Sequence, residues 1–171
     1  GRPARPAPPT PERVDWERED APAEGVGAGI GEVDGRPVAV AATDFTVKGG
    51  AIGHTGGRKL ERLYDLAIDR GYPVITLHDG GGHRIQEGLD ARPTAQGDGG
   101  LFRQQTKLSG WVPFVSAMMG PGFAAPTNFS VMADFVPMVE GSTMGVAGPS
   151  LVEAALGTDV SKQELGGADI H

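Results

Sequence analysis

The sequence predicts a single α/β domain. Short, mostly apolar strands alternate with helical segments, and the turns between them are rich in glycine, which accounts for 28 of the 171 residues. Alternation of strands and helices is typical of α/β proteins. Short strands with glycine turns favour a spiral of ββα units over a doubly wound sheet, although the pattern alone leaves both architectures open.

The first 25 residues are predicted to form an extended or flexible arm. Residues 1–24 carry six of the 14 prolines together with charges of both signs. Proline fixes φ and removes a backbone donor, so such a stretch favours extended chain. Residues 26–171 are assigned to the folded domain, and the first strand is expected from about Gly29.

A hairpin and a long helix are predicted at the start of the domain. Asp34-Gly35, between strands at 29–33 and 37–42, is a strong hairpin-turn signal. The second strand is almost entirely apolar, which predicts burial on both faces. After a glycine-rich loop, apolar residues at helical spacing predict a helix over about 58–70, and Gly71 is placed to end it.

The remaining elements continue the alternation. Strands are predicted at 74–77, 113–118, 135–139 and 144–147, and helices at 100–109 and 124–133. Pro149 is expected to open another helix, because proline suits the first helical position. Ser161 and Glu164 have the spacing of a capping box for a short last helix, closed by Gly166-Gly167.

Charge and composition argue against several functions. A net charge of −7 offers no basic footprint for nucleic acid. The absence of cysteine argues against disulfides and thiolate zinc sites. No apolar run approaches the roughly 18 residues of a membrane span, and the N-terminus lacks an apolar signal core. We therefore expect a cytoplasmic protein that binds neither nucleic acid nor membrane.

A glycine turn after a predicted buried strand is the main candidate for chemistry. Residues 79–88 run Asp-Gly-Gly-Gly-His-Arg-Ile-Gln-Glu-Gly. Consecutive glycines allow a sharp turn that presents N–H groups outward. Convergent N–H groups can stabilise negative charge on a carbonyl oxygen. On the glycines alone, an ordinary turn is the more frequent explanation.

A second candidate is the turn at 120–126, which lies between a predicted strand and a predicted helix. A helix start can hold a polarised carbonyl, although a plain connector is the better explanation of this turn taken alone.

Other motif-like patterns in the sequence lack the residues or the spacing that their functions require. The glycines at 25–31 and 53–59 match neither dinucleotide nor Walker motifs. His54, His78 and His83 lack supporting carboxylates, so no metal site is predicted. Neither turn carries a serine nucleophile.

Taken in order, these segments resemble the β (carboxyltransferase) chains of acetyl-CoA and propionyl-CoA carboxylases. Residues 44–53 are similar to the family's D-F-T-V-x-G-G-S-x-G, and residues 79–88 to its D-S-G-G-A-R-I-Q-E-G. Further segments similar to the family, and in the family's order along the chain, lie at 33–38, 109–113, 133–135, 138–140, 158–160 and 164–168. The resemblance covers about residues 26–171, and its specificity comes from the combined order of the motifs.

The resemblance implies a crotonase/ClpP-type spiral fold and the N-terminal, acyl-CoA-binding domain of a biotin-dependent carboxyltransferase. Carboxybiotin on a carrier domain of another chain would supply the carboxyl group and the base, and the α-carbon of an acyl-CoA would receive the carboxyl group. The protein would then mainly position reactants and stabilise an enolate. Implied partners are a second carboxyltransferase-domain chain and a biotin carboxyl carrier or biotin carboxylase subunit, in a homo- or hetero-oligomer. Relative to that family the domain is expected to be truncated.

Site residues follow from the same resemblance. The backbone N–H groups that would hold the enolate belong to Gly81, Gly82 and His83. The residues that would line the substrate groove are Gly122, Phe123, Ala124 and Ala125. His83 stands where the family has alanine, and Ala124 and Ala125 stand where it has glycine.

These departures keep two alternatives open. Imidazole titrates near neutral pH, so His83 could serve as an acid or base in a biotin-independent decarboxylase or an atypical carboxyl-transfer enzyme. A solvated loop histidine explains His83 equally well. The second alternative is a non-catalytic assembly subunit that keeps the fold and lacks the glycine chemistry.

Overall fold

The computed structural model describes residues 22–87 and 100–171. Within them it has the predicted α/β architecture, with a four-stranded sheet in the order β1-β2-β3-β4 and a two-stranded sheet of β5 and β6. The strands are β1 Val26–Val33, β2 Arg36–Thr43, β3 Val74–His78, β4 Phe114–Met118, β5 Pro121–Phe123 and β6 Thr143–Gly145. The α-helices are α1 His54–Arg70, α2 Gly100–Leu108, α3 Ala125–Ser130, α4 Pro149–Leu156 and α5 Lys162–Gly166.

The first two strands form the predicted antiparallel hairpin. Asp34 and Gly35 both have positive φ, 50° and 75°, as a two-residue hairpin turn of type I′ requires. Strand β1 begins at Val26, three residues earlier than expected, because pairing with β2 holds its glycines extended. Strands β2, β3 and β4 are then parallel neighbours, so their carboxyl ends meet at one edge of the sheet.

Helix α1 covers the sheet and supplies much of the core. Its apolar face is buried through Leu60, Leu63, Tyr64 and Ala67. The helix begins at His54 and not near Arg58, so part of the predicted glycine loop is helical. Tertiary packing overrides helix propensity here. A Cβ on Gly56 would lie 2.7 Å from Val26 Cγ2, so glycine lets the first turn approach β1.

The second half differs from prediction in three places. Residues 135–139 were predicted as a strand but make only single bridges to β4, since Pro137 has no N–H for a ladder. The helix predicted at 124–133 ends at Ser130, because Asp134 binds the backbone of Phe114 through both its N–H and its carboxylate, each at 2.8 Å. Strand β5 was not predicted.

The C-terminal elements follow their local signals. Pro149 opens α4, and Gly157 ends it with φ of 67°. The capping box at α5 is confirmed: Glu164 N donates to Ser161 Oγ at 3.2 Å, and Ser161 N donates to Glu164 Oε2 at 3.0 Å. Among the described helices, none has both the length and the apolar character needed to cross a bilayer. Of the predicted arm, residues 1–21 lie outside the described residues, and 22–25 form a 3-10 turn.

Candidate functional site

Backbone hydrogen bonds and close packing hold the glycine turn at the end of β3 against the loop that contains Gly49 and Gly50. Gly81 N donates to the carbonyl of Gly49 at 2.9 Å, and Gly80 N donates to the carbonyl of Pro121 at 3.0 Å. Gly80 has φ of 122°, and a Cβ there would collide with the Gly49 carbonyl. A Cβ on Gly50 would collide with the Asp79 carbonyl in turn. The glycines are therefore required for backbone-to-backbone contact as well as for the turn.

After the turn, the chain forms a short parallel bridge with residue 52. Ile52 N donates to the Gly82 carbonyl at 3.0 Å, and Arg84 N donates to the Ile52 carbonyl at 3.1 Å. In such a bridge the residue between the two bonded partners turns its N–H away, so the His83 N–H faces the side opposite Ile52. The bridge fixes the direction of the chain that leaves the turn.

The two glycine-containing turns that the sequence suggested separately are in contact. A Cβ placed on Gly82 would lie 3.3 Å from Ala124 Cβ and 3.4 Å from Ala125 N. Ala125 is the first residue of α3, so its N–H has no acceptor one turn earlier in the helix. Within residues 22–87 and 100–171, neither the Ala125 N–H nor the Gly82 N–H has a hydrogen-bond acceptor. Two residues whose N–H groups lack acceptors in this part of the chain thus lie close together.

The second turn has a strained backbone. Ala124 has φ of 65° and ψ of −116°, which are the angles of the first central residue of a type II′ turn, a position that glycine dominates. A non-glycine residue there costs about 1–3 kcal/mol and persists only where surrounding contacts hold it. Ala124 N donates to the Gly145 carbonyl at 2.9 Å, which ties the turn to β6. The Phe123 ring also packs on Gly145.

A buried threonine, which the sequence reasoning missed, supports this turn. Thr127 Oγ1 donates to the Gly122 carbonyl and accepts a hydrogen bond from Gly145 N at 2.7 Å. Its side chain is only 4% exposed. The hydroxyl therefore joins β5 to β6 across the base of the turn. No sequence signal singled out Thr127, because α3 also carries the polar residues Asn128 and Ser130.

Arg84 organises the first turn through ion pairs in which its guanidinium is buried and the two carboxylates are partly exposed. It is 5% exposed, and its Nη1 lies 2.6 Å from Glu24 Oε2 and 2.8 Å from Glu87 Oε1. Glu87 Oε2 also accepts from His54 N at 2.6 Å. Burial alone lowers the pKa of Arg84, but the hydrogen bonds and charges of both glutamates outweigh it and hold the pKa above its usual value. The network joins the segment before β1, the start of α1 and the turn.

The histidines occupy different environments. His78 is 2% exposed at the end of β3, and neither ring nitrogen has a partner among the described residues. Burial lowers its pKa to about 4, so its ring is neutral at physiological pH. His54, by contrast, is exposed at the start of α1. In the part of the chain that the structure describes, no three His, Cys, Asp or Glu side chains are grouped to hold a metal ion.

Comparison with known proteins gives a consistent result. The family model described as a carboxyl transferase domain matches residues 10–171. The propionyl-CoA carboxylase carboxyltransferase subunit of Haloferax mediterranei is 42% identical over 156 residues, which are 91% of this chain and 30% of that protein. The methylmalonyl-CoA decarboxylase subunit alpha of Veillonella parvula is 38% identical over 156 residues, with the same two shares.

Solved structures agree with the sequence comparison. A structure of the transcarboxylase 12S hexamer with methylmalonyl-coenzyme A and methylmalonic acid bound superposes with a TM-score of 0.83 at 38% identity. The match covers 90% of this chain and 30% of that one. The chain thus spans about 30% of the length of these relatives. The predicted crotonase-like spiral is confirmed, and the chain belongs to the carboxyl transferase domain family.

Proposed function

We propose that this chain forms the acyl-CoA-binding half of a biotin-dependent carboxyltransferase. The enzyme would transfer a carboxyl group from carboxybiotin to the α-carbon of an acyl-CoA. Membership of the family supports this proposal, as do the relatives named for propionyl-CoA and methylmalonyl-CoA. Carboxybiotin, presented by a carrier domain of another chain, is treated as the second substrate, which brings both the carboxyl group and the base.

One observation carries the proposal: the contact between Gly82 and Ala125. Removing a proton from the α-carbon of a thioester places negative charge on the thioester oxygen. N–H donors that already point at this oxygen before the reaction stabilise the charge strongly. Loss of one such donor typically lowers the rate by about 100- to 1,000-fold. Gly82 and Ala125 lie close together, and neither N–H group has a protein acceptor in the described residues. Uncharged backbone donors suit a reaction whose base arrives with the second substrate.

The roles of the predicted residues can then be divided. The Gly81 N–H is bonded to Gly49, so we assign Gly81 to holding the turn and not to donating to the enolate. Gly82 remains a proposed donor, together with Ala125. The His83 N–H faces away from Ile52, and its donor role stays a prediction. The groove lining proposed for residues 122–125 is supported by the contact of Ala124 with Gly82.

Carboxyl transfer is favoured over a biotin-independent decarboxylase that uses the His83 imidazole. The matching family model is a carboxyl transferase domain, and similar relatives are named as carboxyltransferase subunits. On this proposal the backbone of residue 83 matters and its side chain does not. Replacement of His83 by alanine is therefore expected to leave biotin-dependent turnover largely intact, whereas a His83-dependent decarboxylase would lose its biotin-independent release of the carboxyl group.

Partners and organisation are also part of the proposal. We assign as partners a second carboxyltransferase-domain chain and a biotin carrier or biotin carboxylase subunit, in a cytoplasmic homo- or hetero-oligomer. The similar transcarboxylase 12S is described as a hexamer and a multienzyme core, which supports assembly. The division into an arm at 1–25 and a domain at 26–171 is proposed likewise, and the Glu24–Arg84 ion pair would tie the end of the arm to the domain.

The test is carboxyl exchange from malonyl-CoA and methylmalonyl-CoA to free biotin, using the complex that contains this chain. We expect biotin-dependent loss of the carboxyl group. Gly82→Ala keeps the N–H but should lower turnover by about tenfold, because its Cβ would lie 3.3 Å from Ala124 Cβ and 3.4 Å from Ala125 N and would push the two turns apart.

Gly81→Ala is the matched control for that variant. Its Cβ would meet only the Gly49 oxygen, at 3.8 Å, which is ordinary contact, so turnover should stay within about threefold of wild type. Equal losses in the two variants would contradict a donor role for Gly82. Carboxyl loss that needs no biotin would favour the decarboxylase, and no turnover from the intact complex would favour an assembly subunit.

A further inference from the structure

We propose that Thr127 is a positioning residue whose hydroxyl holds the turn at 122–125 in the conformation that brings the Ala125 N–H to Gly82. The inference rests on the proposed function, because it assigns Thr127 a role in the proposed enolate site. It concerns a side chain that touches no substrate and acts only through the backbone that it binds.

The hydroxyl of Thr127 is fully engaged on both sides of the turn. It donates to the Gly122 carbonyl in β5 and accepts from Gly145 N in β6, the latter at 2.7 Å. A hydroxyl can do both at once, whereas an aliphatic side chain of the same shape can do neither. Because the side chain is 4% exposed, water cannot readily replace these bonds.

The turn needs such support because of Ala124. Its φ of 65° and ψ of −116° are angles that alanine resists. Relaxation of φ toward negative values would rotate the peptide that joins Ala124 to Ala125, and the Ala125 N–H would turn with it. Another restraint on the turn is the bond from Ala124 N to the Gly145 carbonyl. Pairing of β6 with β5 positions Gly145, and the Thr127 hydroxyl binds Gly145 N in addition, so it supports this restraint as well.

The consequence is a specific kinetic signature. The oxygen of the bound thioester carries little charge, and the enolate oxygen carries far more. A misdirected N–H therefore weakens the transition state more than it weakens substrate binding. Loss of the Thr127 hydroxyl should lower kcat and leave the KM for acyl-CoA nearly unchanged. For a residue that merely fills space, substitution would not lower kcat selectively while leaving KM unchanged.

The test compares four variants in the complete carboxyltransferase complex. Thr127→Val keeps the shape and should lower kcat by about tenfold, with KM within about threefold. Thr127→Ser keeps the hydroxyl and should retain kcat within about twofold. The double variant Ala124→Gly with Thr127→Val should recover most of the lost kcat, since glycine adopts a positive φ without strain and needs less support.

The fourth variant, Thr76→Val, is the matched control. Thr76 is also buried, and its hydroxyl bonds Ser116 Oγ at 2.8 Å in the sheet, away from the turn. It should lower stability and leave kcat unchanged.

Several results would overturn the inference. These are an unchanged kcat in Thr127→Val, an equal loss in Thr127→Ser, and an equal loss in Thr76→Val. If Thr127→Val does not fold, the double variant decides, because a low kcat in a folded protein with glycine at 124 contradicts the proposed coupling. A wild-type complex without biotin-dependent turnover refutes the proposed function itself. If the wild-type complex is active and Thr127→Val has the same kcat as the wild type, only the inference about Thr127 is refuted.

Discussion

The buried His78 predicts a pH dependence of stability that a single substitution should remove. The ring is 2% exposed, and burial lowers its pKa from 6.5 to about 4. In the unfolded chain the same ring titrates near pH 6.5. Between these two values the unfolded state therefore binds one proton more than the folded state, so the free energy of unfolding must fall as the pH falls.

The size of the effect follows from the two pKa values. Each pH unit in this window costs about 1.4 kcal/mol of unfolding free energy, or about 3 kcal/mol between pH 6.5 and pH 4. The contribution is complete above pH 6.5, is lost progressively below it, and is exhausted near pH 4. A loss of that size is a substantial part of the stability of an ordinary domain.

The assay is urea denaturation of the wild type and of His78→Gln at several pH values between 7 and 4.5. The two proteins can differ in absolute stability, and only the difference between their pH slopes matters. Groups such as Glu164, whose pKa is lowered by its hydrogen bonds with Ser161, titrate in both proteins and cancel. Parallel slopes would refute the argument, because they would mean that His78 takes up its proton equally in the folded and unfolded states.

Three further predictions can be tested by thermal or urea denaturation, the first of them with a matched control. Gly80→Ala should destabilise by about 3 kcal/mol or more because its Cβ meets the Gly49 carbonyl, whereas Gly49→Ala, with positive φ in open space, should cost only about 1 kcal/mol; equal costs would contradict this. Arg84→Met should cost about 1–2 kcal/mol, since two partly exposed carboxylates lose their cation, and a loss below about 0.5 kcal/mol would show that the network contributes little. Ala124→Gly should stabilise by about 1 kcal/mol, because relief of strain exceeds the entropy cost of glycine; destabilisation would refute the strain.

Features set by neighbouring residues could be predicted from the sequence. The hairpin turn at Asp34-Gly35 and the capping box at Ser161 and Glu164 depend on residues within four positions of each other. The buried face of α1 follows from its apolar periodicity in the same way. Each of these rests on backbone angles or spacing that the local sequence determines.

Features set by distant contacts could not be predicted. Helix α1 includes Gly56, which local propensity assigns to a loop, because that glycine packs closely on β1. Strand β5 contains Pro121 and has no pattern of its own, and it forms because β6 pairs with it. One of the two carboxylate partners of Arg84, Glu24, lies 60 residues away, a separation that no periodicity reveals.

The candidate site also combines features that the sequence predicts with one that it does not. Both turns were visible in the sequence, but each alone is better explained as a connector, and only their contact makes them a candidate for catalysis. That contact is made by backbone and by small side chains, so a substitution that adds one carbon at Gly82 should matter more than the loss of the His83 imidazole. The way in which the second turn is supported also explains why alanine at position 124 does not by itself argue against function. The backbone angles of that turn persist in spite of its methyl group, and the Thr127 hydroxyl is placed to hold them. The proposed enolate site would depend on how the loop around Gly49 and the turns at 79–83 and 122–125 are held together, so substitutions that disturb it should lower kcat before they weaken substrate binding.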